Sequence, residues 1–157
     1  MKTCFIILRA AVIISSLMVV GILLTGQAVF ADSETALKDL QRTKQCQNCD
    51  LSGVDFSGAD LGGVDLTAAN LSGANLSGAN LPFVTFREAS LNNADLSNAN
   101  LMDADLTGAD LRGANLSGAN LTKATVHGAY LTDADLSDAV WIDGIKCQDG
   151  SSGDCLK

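Results

Sequence analysis

The chain has 157 residues, with 18 Asp and Glu against 10 Lys and Arg, a formal charge of −8. Its first 31 residues hold Lys2 and Arg9 and no acidic residue, so their removal leaves 8 basic against 18 acidic residues, or −10. That balance disfavours nucleic acid and anionic membrane surfaces as partners and does not disfavour a basic protein.

Residues 1–31 read as a targeting segment. Lys2 and Arg9 supply a positive start, Ala10 to Leu24 an apolar centre, and Val29-Phe30-Ala31 a small-residue cleavage site. The protein is therefore expected to be exported, with its mature chain starting at Asp32. The competing reading is an uncleaved membrane anchor, since the apolar run is long for a signal and short for a span.

Residues 32–45 predict a short helix. Asp32 or Ser33 can cap it, Glu34 suits its first turn, Ala36, Leu37 and Leu40 form a narrow stripe, and Arg42 and Lys44 suit its last turn. Its expected role is to cover the open end of the repeat region that begins at Cys46. Cys46-Gln47-Asn48-Cys49 comes next, and in an exported chain a Cys46–Cys49 disulfide is expected. The alternative is a redox-responsive pair, although no βαβ pattern surrounds it.

Residues 46–142 repeat every five positions without a slip. Counting by fives from 51 to 141 gives 19 central positions, 15 of them Leu and the others Phe56, Phe86, Val126 and Trp141. Two residues before each centre stands a small residue: 15 Ala, three Val and Cys49. Successive helical residues turn by about 100°, so leucines five apart would spiral around a helix and form no stripe. In a flat strand an odd period would place them on alternate faces. Only a chain that turns a corner in each repeat keeps every Leu inside, with the small residue beside it and the other three positions outward. Ser, Thr, Gly, Asn and Asp dominate the positions after the centre, as turns require. Asp or Asn precedes the centre in 14 of 19 repeats, and side chains of that length bond to nearby backbone amides. The result is an all-β solenoid with a narrow filled core.

The Ala-Asp/Asn-Leu-Ser/Thr-Gly consensus, as in Ala74-Asn75-Leu76-Ser77-Gly78, resembles the pentapeptide repeat family. The resemblance implies a right-handed four-sided parallel β-helix, which period alone does not. It also implies two kinds of role. One is a non-enzymatic exported protein of the cyanobacterial periplasm or thylakoid lumen that presents a rigid acidic surface. The other is a DNA mimic that binds the topoisomerase gyrase, which the export signal opposes.

Four sides would stack residues twenty apart. The eight Asp before the centres are Asp50, Asp55, Asp60, Asp65, Asp95, Asp105, Asp110 and Asp135, and no two are separated by twenty. The spacing keeps like charges from lying directly opposite one another.

Within the repeats, Leu81-Pro82-Phe83-Val84 is irregular, with the only Pro at a corner and Phe83 outward beside Arg87. Phe83, Arg87, His127 and Tyr130 are the candidate interaction residues. His127 is the only histidine, and no nucleophile stands with a base, so no catalytic, cofactor-binding or metal residue is assigned. At residues 143–157, Cys147 and Cys155 are expected to close a flexible loop and pin the cap, while Trp141, too wide for an interior row, is expected to lie across the last coil.

Overall fold

The computed structural model describes residues 38 and 40–156. The targeting segment and the expected helix start at residues 32–37 lie outside the described residues. Residues 40–43 are helical, and Lys44, with φ of 56°, ends the turn while its amide bonds back to the Leu40 carbonyl at 2.8 Å. Leu40 is buried, with Gln41 Nε2 donating to the Asp60 carbonyl and Lys44 Nζ to the Gly62 carbonyl. No helix among the described residues is long and apolar enough to cross a membrane.

From Gln45 onward the chain coils with twenty residues per turn. Parallel bridges join Gln45 to Asp65, Asp50 to Asn70 and so on without a break to Asn120 and Val140. Four centres thus make one coil. Side one carries Leu51, Leu71, Leu91, Leu111 and Leu131; side two Phe56, Leu76, Leu96, Leu116 and Leu136; side three Leu61, Leu81, Leu101, Leu121 and Trp141; side four Leu66, Phe86, Leu106 and Val126. Each side contributes a single bridging residue, so the sheets consist of one-residue rungs between turns rather than extended strands.

The turn explains the period. In each repeat the amide of the small residue bonds to the carbonyl of the preceding centre, as Ala74 to Leu71 and Ala94 to Leu91, at 3.0 and 3.1 Å. The second residue of the turn has positive φ throughout, nine times as Gly and nine times as another residue between Gly53 and Asp138. This is the conformation of a type II turn, in which Gly is favoured and Asn or Asp tolerated. Ala68, Phe83, Glu88 and Lys123 adopt it without such help.

Inside, the centres from Phe56 to Leu121 are at most 1 % exposed. At the two ends Leu51, Val54, Val126, Leu131 and Trp141 are only partly buried against the core. The cap at the far end differs from the expected loose loop. Residues 145–153 fold back antiparallel on the last coil, with Val140 bridged to Lys146 and Asp135 to Ser152. The Leu136 amide donates to the Ser151 carbonyl and the Gly153 amide to the Ala134 carbonyl, each at 2.8 Å. The last coil offers unpaired backbone groups on its upper edge, and pairing them outweighs leaving the tail solvated. Trp141 is partly buried, and the tail, not the indole alone, covers this end.

Candidate functional site

The surface is built from three outward columns per side, and the Asp or Asn before each centre does most of the polar work. Its Oδ1 accepts the amide two residues on, as in Ser57 to Asp55 at 3.0 Å, Ser97 to Asp95 at 2.9 Å and Ser117 to Asn115 at 3.1 Å. At three of the four places where Asn follows Asp by twenty residues it also donates down the column. Asn70 Nδ2 reaches Asp50 Oδ1 at 3.0 Å, Asn80 reaches Asp60 at 3.1 Å and Asn115 reaches Asp95 at 3.2 Å. Asn therefore separates carboxylates and in these three pairs also gives the lower carboxylate a donor, a role that spacing alone did not reveal.

These bonds hold carboxylates ionised. The Ser52 hydroxyl and amide lower the pKa of Asp50, with Asn70 adding to them, and the Ser57 amide and hydroxyl lower that of Asp55. Asp135 is lowered by the Ser137 hydroxyl and amide. For Asp65 and Asp105 burial pushes upward, but the Thr67 and Thr107 hydroxyls and amides outweigh it, with Gln47 and Arg87 assisting respectively. Arg112 binds Asp110 through two bonds of 2.8 and 2.6 Å, lowering the pKa of Asp110 and raising its own.

The four candidate interaction residues do not form one patch. Phe83 stands 63 % exposed on the corner after side three. Arg87 lies on the next corner, where Nη1 pairs with Asp105 Oδ2 at 3.1 Å. His127 shares the Arg87 column two coils on, with Thr107 between them in the register of bridges. Tyr130, 61 % exposed, belongs to side one, where it bridges to Asp110. A shallow depression of about 380 Å³ near Arg112 is lined by Asn92, Asn93, Gly113 and Asp133, and Asp110 already occupies the guanidinium. Among the described residues no group of His, Cys, Asp and Glu is placed to hold a metal ion. Sulfurs meet in the pairs Cys46–Cys49 and Cys147–Cys155, the first within a turn entering the first coil, the second across the terminal loop.

Sequence reasoning missed one feature outright. The corner after side three carries Pro82, Met102, Thr122 and Ile142 in one column, whereas the corner after side two carries Ser57, Ser77, Ser97, Ser117 and Ser137. Writing the sequence in rows of twenty would have exposed it.

A family model for pentapeptide repeats matches in eight copies, over residues 45–81, 69–108, 83–118 and 99–138. No curated protein matches the chain closely. Among solved structures, HetL, a protein involved in heterocyst differentiation regulation from the cyanobacterium Nostoc sp. strain PCC 7120, is 38 % identical over 65 % of this chain and 51 % of its own, with a TM-score of 0.35. The chain thus spans about half the length of HetL. Rfr23 from the cyanobacterium Cyanothece 51142 is 32 % identical over 77 % of this chain and 99 % of its own, with a TM-score of 0.44. A thylakoid-lumen protein of Arabidopsis thaliana is 25 % identical over 83 % of this chain and 92 % of its own, at a TM-score of 0.38.

Proposed function

The chain belongs to the pentapeptide repeat family, whose fold is the right-handed four-sided β-helix, and from that premise we propose an exported, non-enzymatic rod that presents fixed acidic columns to a basic protein. The observation that carries this reading is the column Asp55, Asn75, Asp95, Asn115, Asp135 on side two. Its carboxylates are spaced by two coils, about 9.6 Å, and each is oriented by the amide of its own turn. Because these side chains are held before any partner arrives, little conformational entropy is lost on binding, and the spacing sets which cations fit. The helical turn at 40–43 and the folded-back tail serve as end covers that keep the rod from pairing edge to edge.

The test replaces Asp55, Asp95 and Asp135 together with Asn. Asn accepts the same turn amides, so the coil is retained while three charges are lost. With the exported protein as bait in its own compartment, the parent is expected to retain a basic partner at low salt and the triple variant to lose it. Equal retention by both proteins would refute the acidic-surface reading. Recovery of the mature chain in the cytoplasm would refute export and favour the gyrase-binding role instead.

A further inference from the structure

The corner after side three differs from the other three in chemistry. Pro82, Met102, Thr122 and Ile142 stack along it, because the Phe83 amide bonds to the Met102 carbonyl at 3.1 Å, Asp103 to Thr122 at 3.0 Å and Lys123 to Ile142 at 2.9 Å. Beside this column runs a second, with Phe83, Asp103, Lys123 and Asp143 at successive levels. Beyond Asp60 the flanking rungs Asn80, Asn100, Asn120 and Val140 carry no charge, while each of the other three sides carries at least two ionisable Asp rungs. Phe83 adopts a left-handed φ of 57° and still exposes its ring, a combination that costs backbone strain and leaves apolar surface in water. Asp103 and Lys123 make no ion pair or side-chain hydrogen bond among the described residues.

The geometry points to this corner as the contact of a symmetric antiparallel dimer, with a second copy of the chain as the occupant. The order of charges along the column selects it. A two-fold axis perpendicular to the rod, halfway between the Asp103 and Lys123 levels, maps Asp103 onto Lys123 of the second copy and Lys123 onto its Asp103. One axis therefore creates two ion pairs. The same operation brings Pro82 opposite Ile142 and Met102 opposite Thr122, apolar groups against apolar groups or a methyl, and sets Phe83 at the two ends of the strip opposite Asp143. A parallel arrangement would set each charge against an uncharged column and form neither pair. Two acidic rods repel, and the run of uncharged rungs from Asn80 to Val140 takes carboxylates away from one flank of this corner, which lowers the barrier to contact there. Four levels make a strip roughly 15–20 Å long, well below the roughly 800 Å² per partner of stable complexes. The dimer is accordingly weak and concentration-dependent.

Charge reversal tests this directly. Asp103 and Lys123 occupy equivalent turn positions, so Asp103→Lys and Lys123→Asp each place a residue type already tolerated at that φ, and unchanged melting temperatures verify folding. Each single variant sets like charges against each other twice and is expected to weaken dimerisation at least tenfold in sedimentation at low salt. An equimolar mixture of the two variants restores both pairs across the interface and is expected to recover dimer to within about threefold of the parent. A charge that acted only within one chain would give no recovery on mixing. A parent that stays monomeric up to millimolar concentration, single variants that dimerise like the parent, or a mixture that remains monomeric would each overturn the proposal.

Discussion

Asn115 sits between Asp95 and Asp135 on side two, and its replacement by Asp tests the stacking of charges along the rod. The substitution keeps the turn, since a carboxylate oxygen can accept the Ser117 amide that Asn115 Oδ1 now accepts at 3.1 Å. It removes the donor that reaches Asp95 at 3.2 Å and puts a third carboxylate between two others. Spacing in the sequence alone argues for an effect of about 0.5 kcal/mol from opposed like charges. The contact geometry argues for more. At a rung spacing of about 4.8 Å, two unit charges repel by about 0.9 kcal/mol at the dielectric constant of water and about 3.5 kcal/mol at an effective value of 20. These side chains are half-exposed or exposed, so the lower figure governs, and two neighbours give about 2 kcal/mol. Asn100→Asp is the control. It loses the comparable bond from Asn100 Nδ2 to Asn80 Oδ1 at 3.0 Å, but stacks only on Asn80 and Asn120. In thermal or urea denaturation at neutral pH and low salt, Asn115→Asp is expected to be the less stable by about 2 kcal/mol. The gap narrows severalfold in 1 M salt, where the screening length falls to about 3 Å, and below about pH 3, where the added carboxyl protonates. If Asn100→Asp proved as harmful as Asn115→Asp, repulsion between sequence neighbours would outweigh that between stacked coils, and the assigned role of Asn as a separator would fail.

Leu101→Ala, which empties a fully buried central position, is expected to cost about 2 to 5 kcal/mol, whereas outward Ser97→Ala should cost under about 0.5 kcal/mol; similar losses in denaturant melts would contradict the inward and outward columns. Ala68→Gly removes a Cβ from a residue held at φ of 55° and is expected to be neutral or stabilising by about 0.5 kcal/mol, opposite in sign to an ordinary Ala→Gly change, so a loss of 1 kcal/mol or more would count against the turn assignment. The pKa values of Asp50, Asp65, Asp105, Asp110 and Asp135 are lowered in the folded state, so their contribution is complete above the unfolded value near 3.8 and lost as pH falls through the folded values; stability should be flat near neutrality and decline below about pH 4, and a decline beginning above pH 6 would implicate another group. Reduction of Cys46–Cys49 and Cys147–Cys155 should fray the ends first, with amide exchange accelerating near Asp50 and Trp141 before Leu96, and non-reducing peptide mapping that joined Cys49 to Cys147 would contradict the pairing.

The five-residue period decides which side chains face inward, because an uninterrupted Leu and Ala register admits no helix or flat strand that would bury them together. The absence of Asp pairs separated by twenty already points to the number of residues per coil, since charges repel only if the coil brings them together. Other features depend on contacts that no local pattern records. Arg87 with Asp105 and Asn115 with Asp95 lie 18 and 20 residues apart, and become partners only once the coil closes. The tail after Trp141 reads as a loop in sequence because its composition is that of a loop; it becomes an antiparallel cover because the last coil has backbone groups to pair and nothing else in that place to pair them. The apolar corner is the clearest case. Pro82, Met102 and Ile142 stand twenty and forty residues apart along the chain, and only a coil of twenty residues stacks them into a single column, where surface chemistry is set by what lies one rung above and below.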